Sequence, residues 1–139
     1  MLIKTLALVS TVLLLMALGF SVLSSTPLLI LKHDVPMDSR VVRQVFHYCY
    51  RMVSIAGAGA SIGFALSGRL LLALGPGSIA LLSLAMHQWL LTRMDALRAT
   101  MHDGDAAAIA RFRRLHICAI ALNVTQLVAL GYAMTQLTL

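Results

Sequence analysis

The side chains best suited to chemistry in this chain are its imidazole and guanidinium groups. Histidine occurs at five positions, His33, His47, His87, His102 and His116. An imidazole can carry a proton near neutral pH, ligate a metal or serve as an axial ligand of haem. His33 and His102 stand in polar stretches and read as surface residues. His87 lies about two turns inside an uncharged run that ends at Arg93, and an ionisable group at that depth is predicted to face the interior of a helix bundle. His116 follows Arg113 and Arg114, with Asn123 seven residues on and Gln126 close to the same stripe; on a helix these share a face. No two histidines have the i, i+4 spacing of a local ligand pair, so a joint site must come from separate helices. The sharpest such site is a haem or metal at His87 and His116, with Arg43, Arg51 and Arg114 meeting porphyrin propionates. The plainer expectation is that these groups hydrogen-bond between helices, at about 0.6 kcal/mol each, with no cofactor.

Other chemistry is poorly supplied. The carboxylates are Asp34, Asp38, Asp95, Asp103 and Asp105, with no glutamate. None falls within an uncharged run, which argues against transport driven by a buried acid. There is no C-x-x-C pair and no glycine-rich phosphate loop, and no polar run suited to a channel lining. Cys49 and Cys118 read as small buried hydrophobes.

The elements that must position these residues are read from where charge is absent. The chain has 139 residues, 60% hydrophobic and 12% charged, about half the charge of a typical soluble domain. Uncharged stretches run between Lys4 and Lys32, from 52 to 68, from 70 to 92, and beyond Arg114. A hydrocarbon core needs roughly 20 helical residues to cross, so each stretch holds one span. The chain is thus predicted to be all-α, a single transmembrane domain over 1–139 forming a four-helix bundle, with spans near 5–25, 48–68, 71–92 and 115–137. The turn between spans two and three falls between 67 and 77, at Ser67-Gly68-Arg69 or at the stronger breaker Gly75-Pro76-Gly77.

Charge also sets the orientation. The first and third loops with their flanks hold Lys32, Arg40, Arg43, Arg51, Arg93, Arg98, Arg111, Arg113 and Arg114, against Lys4 and Arg69 on the other side. The positive-inside rule then places those loops in the cytoplasm and both termini outside it. Lys4, the apolar stretch and Val22-Leu23-Ser24-Ser25 also suit a cleaved signal peptide, but cleavage would put the basic first loop on the wrong side. The net charge of +6 fits membrane orientation and anionic lipid, not nucleic acid.

Local patterns add detail. Pro36 precedes Asp38 and Ser39, either of which can cap span two. Arg40, Arg43, Gln44, His47 and Arg51 then share one helical face, with Val42, Val45, Phe46, Cys49 and Val53 on the other. The basic face suits lipid phosphate or a carboxylate or phosphate ligand. Gly57, Gly59 and Gly63 allow close helix packing, with an internal neighbour favoured over a second copy. Asp95 and Arg98 are one turn apart and can pair. Asp103-Gly104 signals a turn, and Asp105 can cap the last helix. Trp89, Tyr48 and Tyr50 suit interfacial anchors.

Met94-Asp95-Ala96-Leu97-Arg98, then Asp105, then Arg111-Phe112-Arg113-Arg114-Leu115-His116, then Leu122-Asn123 together resemble an uncharacterised four-span membrane family. It is the one catalogued as domain of unknown function 4149, related to eukaryotic transmembrane protein 205. The resemblance covers the second half of the chain, and the Arg40 to Tyr50 segment more loosely. It implies a four-span architecture, with Asp95, Arg98, Phe112, His116 and Asn123 as a structural or ligand cluster at the cytoplasmic mouth. It implies no established reaction. A fainter similarity is to bacterial four-span protoporphyrinogen oxidases, whose span-one histidine this chain lacks. The functional expectation is a non-enzymatic accessory subunit of a larger membrane complex in a bacterial inner membrane. The alternative is a porphyrin- or metal-binding membrane oxidoreductase.

Overall fold

A computed structural model of the chain describes residues 2–30, 36–100 and 105–135. These residues form four α-helices, α1 (Leu2–Ser25), α2 (Pro36–Leu66), α3 (Leu70–Thr100) and α4 (Ala106–Thr135), with a short 3-10 turn at Pro27–Ile30 after α1. All four are long and apolar enough to cross a membrane. His33, His102 and the Asp103-Gly104 turn lie outside the described residues.

The helix ends follow local rules. Asp105 accepts hydrogen bonds from the amides of Ala107 and Ala108 at 3.1 and 3.0 Å, capping α4 as its position predicted. Asp38 and Ser39 lie inside the first turns of α2. That helix begins at Pro36, since proline is favoured in a first turn where its missing N–H is no loss. Asp38 then sits within the first turn, where the helix dipole favours a carboxylate.

The turn between α2 and α3 falls at the earlier of the two candidate sites. Gly68 has φ +77°, a left-handed conformation that suits glycine. The amide of Arg69 donates to the carbonyl of Phe64, and that of Gly68 to Ala65, each at 3.0 Å. This is the Schellman closure of a helix C-terminus. The stronger breaker, Gly75-Pro76-Gly77, lies inside α3. Pro76 has no N–H to donate, and its ring disturbs the helical ladder. The Ser61 hydroxyl of α2 donates to the carbonyl of Ala73 at 2.9 Å, and neighbouring hydroxyls of this kind let membrane helices carry proline. A Cβ on Gly77 would lie 2.8 Å from that hydroxyl, so the glycine makes room for the repair.

The pairs that meet across helices set the topology. Ala7 meets Gly63, and Ser24 meets Cys49, so α1 and α2 run antiparallel. Gly57 meets Ala80, and Arg43 meets Asp95, so α2 and α3 do too. Ser21 meets Asn123 and Ser25 meets His116, which sets α4 antiparallel to α1. The result is an up-down-up-down bundle, with its most extensive contacts between α2 and its neighbours α1 and α3. The predicted packing glycines lie in those two seams. A Cβ on Gly63 would stand 2.8 Å from Ala7 Cα, and one on Gly57 would stand 2.9 Å from the carbonyl oxygen of Pro76. Gly59 faces Ser10 of α1.

The core collects in three layers. The first, at the basic end, is built on Val42, Phe46, Tyr50, Leu90, Met94 and Phe112. Leu14, Leu18, Val53 and Ile79 form the middle layer, and Ala7, Phe64 and Ala73 the far one. Tyr50 is therefore a core residue, 1% exposed, and no interfacial anchor, whereas Tyr48 and Trp89 are about half exposed. Cys49 is buried as expected, but Cys118 is exposed, because it lies two residues past buried His116 on α4 and so turns outward.

Gly63→Ala is expected to destabilise the bundle by about 1–3 kcal/mol, the usual cost of overpacking. Gly131, with nothing within 4 Å of its Cβ position, is the control. Gly131→Ala is expected to be neutral, or to stabilise by up to about 1 kcal/mol. Thermal unfolding in a mild detergent distinguishes the two; equal midpoints would refute the close approach.

Candidate functional site

The side chains singled out by type gather at the end of the bundle where α2 and α4 begin and α1 and α3 finish. They form three arrangements, not one.

The first joins α2 to α3. Arg43 donates from Nε to Asp95 Oδ1 at 2.6 Å and from Nη2 to Oδ2 at 2.8 Å. This two-pronged geometry is the strong form of an arginine–carboxylate pair. Arg98 adds a longer contact to the same carboxylate, 3.5 Å from Nη1 to Oδ1. The expected Asp95–Arg98 pair is thus present, but its carboxylate is held chiefly from the neighbouring helix. Both groups of the main pair stay partly exposed, 28% for Arg43 and 44% for Asp95.

The second lies about two turns back along α3. His87 Nε2 and His47 Nδ1 are 3.1 Å apart, with ring centroids at 4.9 Å. One nitrogen must donate and the other accept, so a single proton lies between the two rings. Tyr48 packs edge-on against His47. The rings line an open groove of about 460 Å³ with Arg51, Ser54, Ile55, Leu84 and Gln88. His87 therefore does not face the bundle interior. It is half-buried at the α2–α3 surface, because α3 turns that face toward His47 and leaves Ser83 and Leu90 to fill the core.

The third is the buried seam of α1 and α4. His116 is fully buried and lies 3.2 Å from the carbonyl oxygen of Ser25. A carbonyl only accepts, so Nε2 carries the proton. Ser25 ends α1, and its carbonyl is one of those a helix C-terminus leaves unpaired. The His116 ring also stands edge-on to Phe46 at 5.3 Å. Asn123 donates from Nδ2 to Ser21 Oγ at 2.7 Å. Gln126 is buried one turn further on, and its amide has no hydrogen-bond partner among the described residues. The predicted stripe His116, Asn123 and Gln126 thus faces inward as a unit, with Phe112 buried at its head.

The five residues considered for a cofactor do not converge. His87 pairs with His47, His116 is bound to α1, Arg43 is held by Asp95, and Arg114 borders a different cleft, between α3 and α4. Arg51 alone stays beside His87. His87 and His116 thus belong to separate arrangements in this structure. Among the described residues, no three His, Cys, Asp or Glu side chains are placed to hold a metal ion.

The His47–His87 and Arg43–Asp95 contacts are the features that sequence patterns miss. Each joins residues of separate helices, and the available signal was that Asp95 is an acid close to the end of an uncharged run. No family model, curated protein or solved structure matches the chain.

A double-mutant cycle on Arg43→Gln and Asp95→Asn is expected to give a coupling of about 0.5–1 kcal/mol, the upper part of the range for partly exposed pairs. The readout is unfolding free energy in detergent. Additive effects of the two substitutions would show the pair contributes nothing.

Proposed function

We propose that this chain is a bacterial inner-membrane protein and a non-catalytic accessory subunit of a larger membrane complex. Its outward faces support the membrane reading. Leu71, Leu81, Ile55 and Val128 are 64–85% exposed, apolar surface that water would penalise at roughly 25 cal/mol per Å². Of the described cations, Lys4 and Arg69 stand toward one end of the bundle, Arg51 midway along α2, and the rest toward the other end. The positive-inside rule assigns that end to the cytoplasm and both termini to the opposite side. The likeness to the uncharacterised four-span family belongs to this same reading.

One observation carries the accessory role. The groups equipped for chemistry are engaged in joining helices: Arg43 with Asp95, His47 with His87, His116 with Ser25, and Asn123 with Ser21. A bundle that uses its polar residues as internal ties acts through what its outer surface contacts. Gentle solubilisation from the native membrane, cross-linking and mass spectrometry are expected to recover a stoichiometric membrane-protein partner. A monodisperse chain recovered alone would contradict the reading. For topology, a C-terminal reporter that works only outside the cytoplasm is expected to be active, and an inactive one would reverse the orientation.

The second reading, a metal- or porphyrin-binding oxidoreductase, is favoured by the His47–His87 pair beside Arg51. Its ligands then narrow to that groove. An intense Soret-like band or stoichiometric metal, lost in His87→Ala, would support it; a colourless, metal-free native protein would sink it.

A further inference from the structure

On the opposite flank of α3 from the histidine pair, α3 and α4 part to leave a cleft of about 510 Å³. Its polar wall consists of Arg93, Arg111 and Arg114. Among the described residues none of the three meets a carboxylate, and the nearest acid along α3, Asp95, is already held by Arg43 and Arg98. Arg93 lies over the Trp89 ring at 6.0 Å. The remaining wall is apolar, with Leu97 and Leu115 partly buried against the first core layer.

Two chemistries therefore meet in one place. Three arginine side chains, none of them paired with a carboxylate among the described residues, favour a phosphate, which arginine binds through paired N–H donors. The apolar wall beside them favours hydrocarbon. A single ligand with a net negative phosphate head and an acyl chain satisfies both, and basic clefts between membrane helices take such headgroups. We propose that the cleft between α3 and α4 binds an anionic phospholipid, its phosphate held by Arg93, Arg111 and Arg114. This rests on the membrane reading above.

Trp89, the sole tryptophan, borders the cleft and reports on its occupant. The full-length protein is reconstituted in phosphatidylcholine vesicles containing a small fraction of lipid brominated on its acyl chains, either phosphatidylglycerol or phosphatidylcholine. The expected result is stronger quenching of Trp89 by the brominated phosphatidylglycerol, with a relative affinity of about fivefold or more. Arg111→Gln combined with Arg114→Gln is expected to bring the ratio to about one. Arg40→Gln with Arg51→Gln removes equal charge from α2 and is expected to leave the preference in place. Equal quenching by the two lipids in the native protein would overturn the proposal, and so would an equal loss in both double variants. Added inorganic phosphate is expected not to relieve the quenching; relief would assign the cleft to the free ion. Absence of quenching by either lipid would instead refute membrane insertion, and this proposal with it.

Discussion

Two close backbone approaches on α2 govern the rest of the molecule. Gly63 lies against the backbone of Ala7, and Gly57 against the carbonyl of Pro76. Neither position has space for a side chain, so α1 and α3 each lock to α2 in one register. Packing among membrane helices depends on such contacts, because lipid tails are as apolar as the side chains they would replace and give no hydrophobic drive to associate. Serine repairs support the arrangement: Ser61 compensates the helix around Pro76, and Ser10 lies in the α1 seam opposite Gly59.

Register then decides the chemistry at the basic end. With Gly57 opposite Ala80, Arg43 arrives at Asp95 and His47 at His87. The arginine–aspartate pair takes the only described acid near the end of α3, and among the described residues no carboxylate pairs with the arginines of the α3–α4 cleft. The α1–α4 seam follows a different logic. There a buried histidine satisfies the last carbonyl of α1, and an asparagine reaches a serine, so α4 is tied by directed polar bonds more than by close backbone approach.

Much of this was legible in one dimension. Uncharged runs bounded by lysine or arginine mark four helices, since charge is expensive in an apolar setting and its absence over about 20 residues is rare by chance. The face shared by His116, Asn123 and Gln126 was readable because helical geometry relates residues of one element. Cross-helix partners were not. Nothing in the spacing of His47 and His87 says that they meet, and His87, expected in the interior, stands at a groove. The strongest local breaker misled for a related reason: Gly75-Pro76-Gly77 would end an isolated helix, but Ser61 from another helix sustains this one. Tyr50, expected as an anchor, is core because α2 turns it toward Leu90 and Met94.

The bundle stands on the register of α1 against α2, and the chain carries its own probe of it. Ser24 Oγ lies 3.9 Å from Cys49 Sγ. S24C therefore places a second thiol beside Cys49, where a disulfide forms only if the two helices stay in this register. Mild oxidation of the full-length variant in native membranes is expected to link Cys49 to the new thiol within one chain, seen as loss of both free thiols and a cross-linked peptide by mass spectrometry. If both thiols stay free, or the bond forms to Cys118 instead, α1 does not lie on α2 as described.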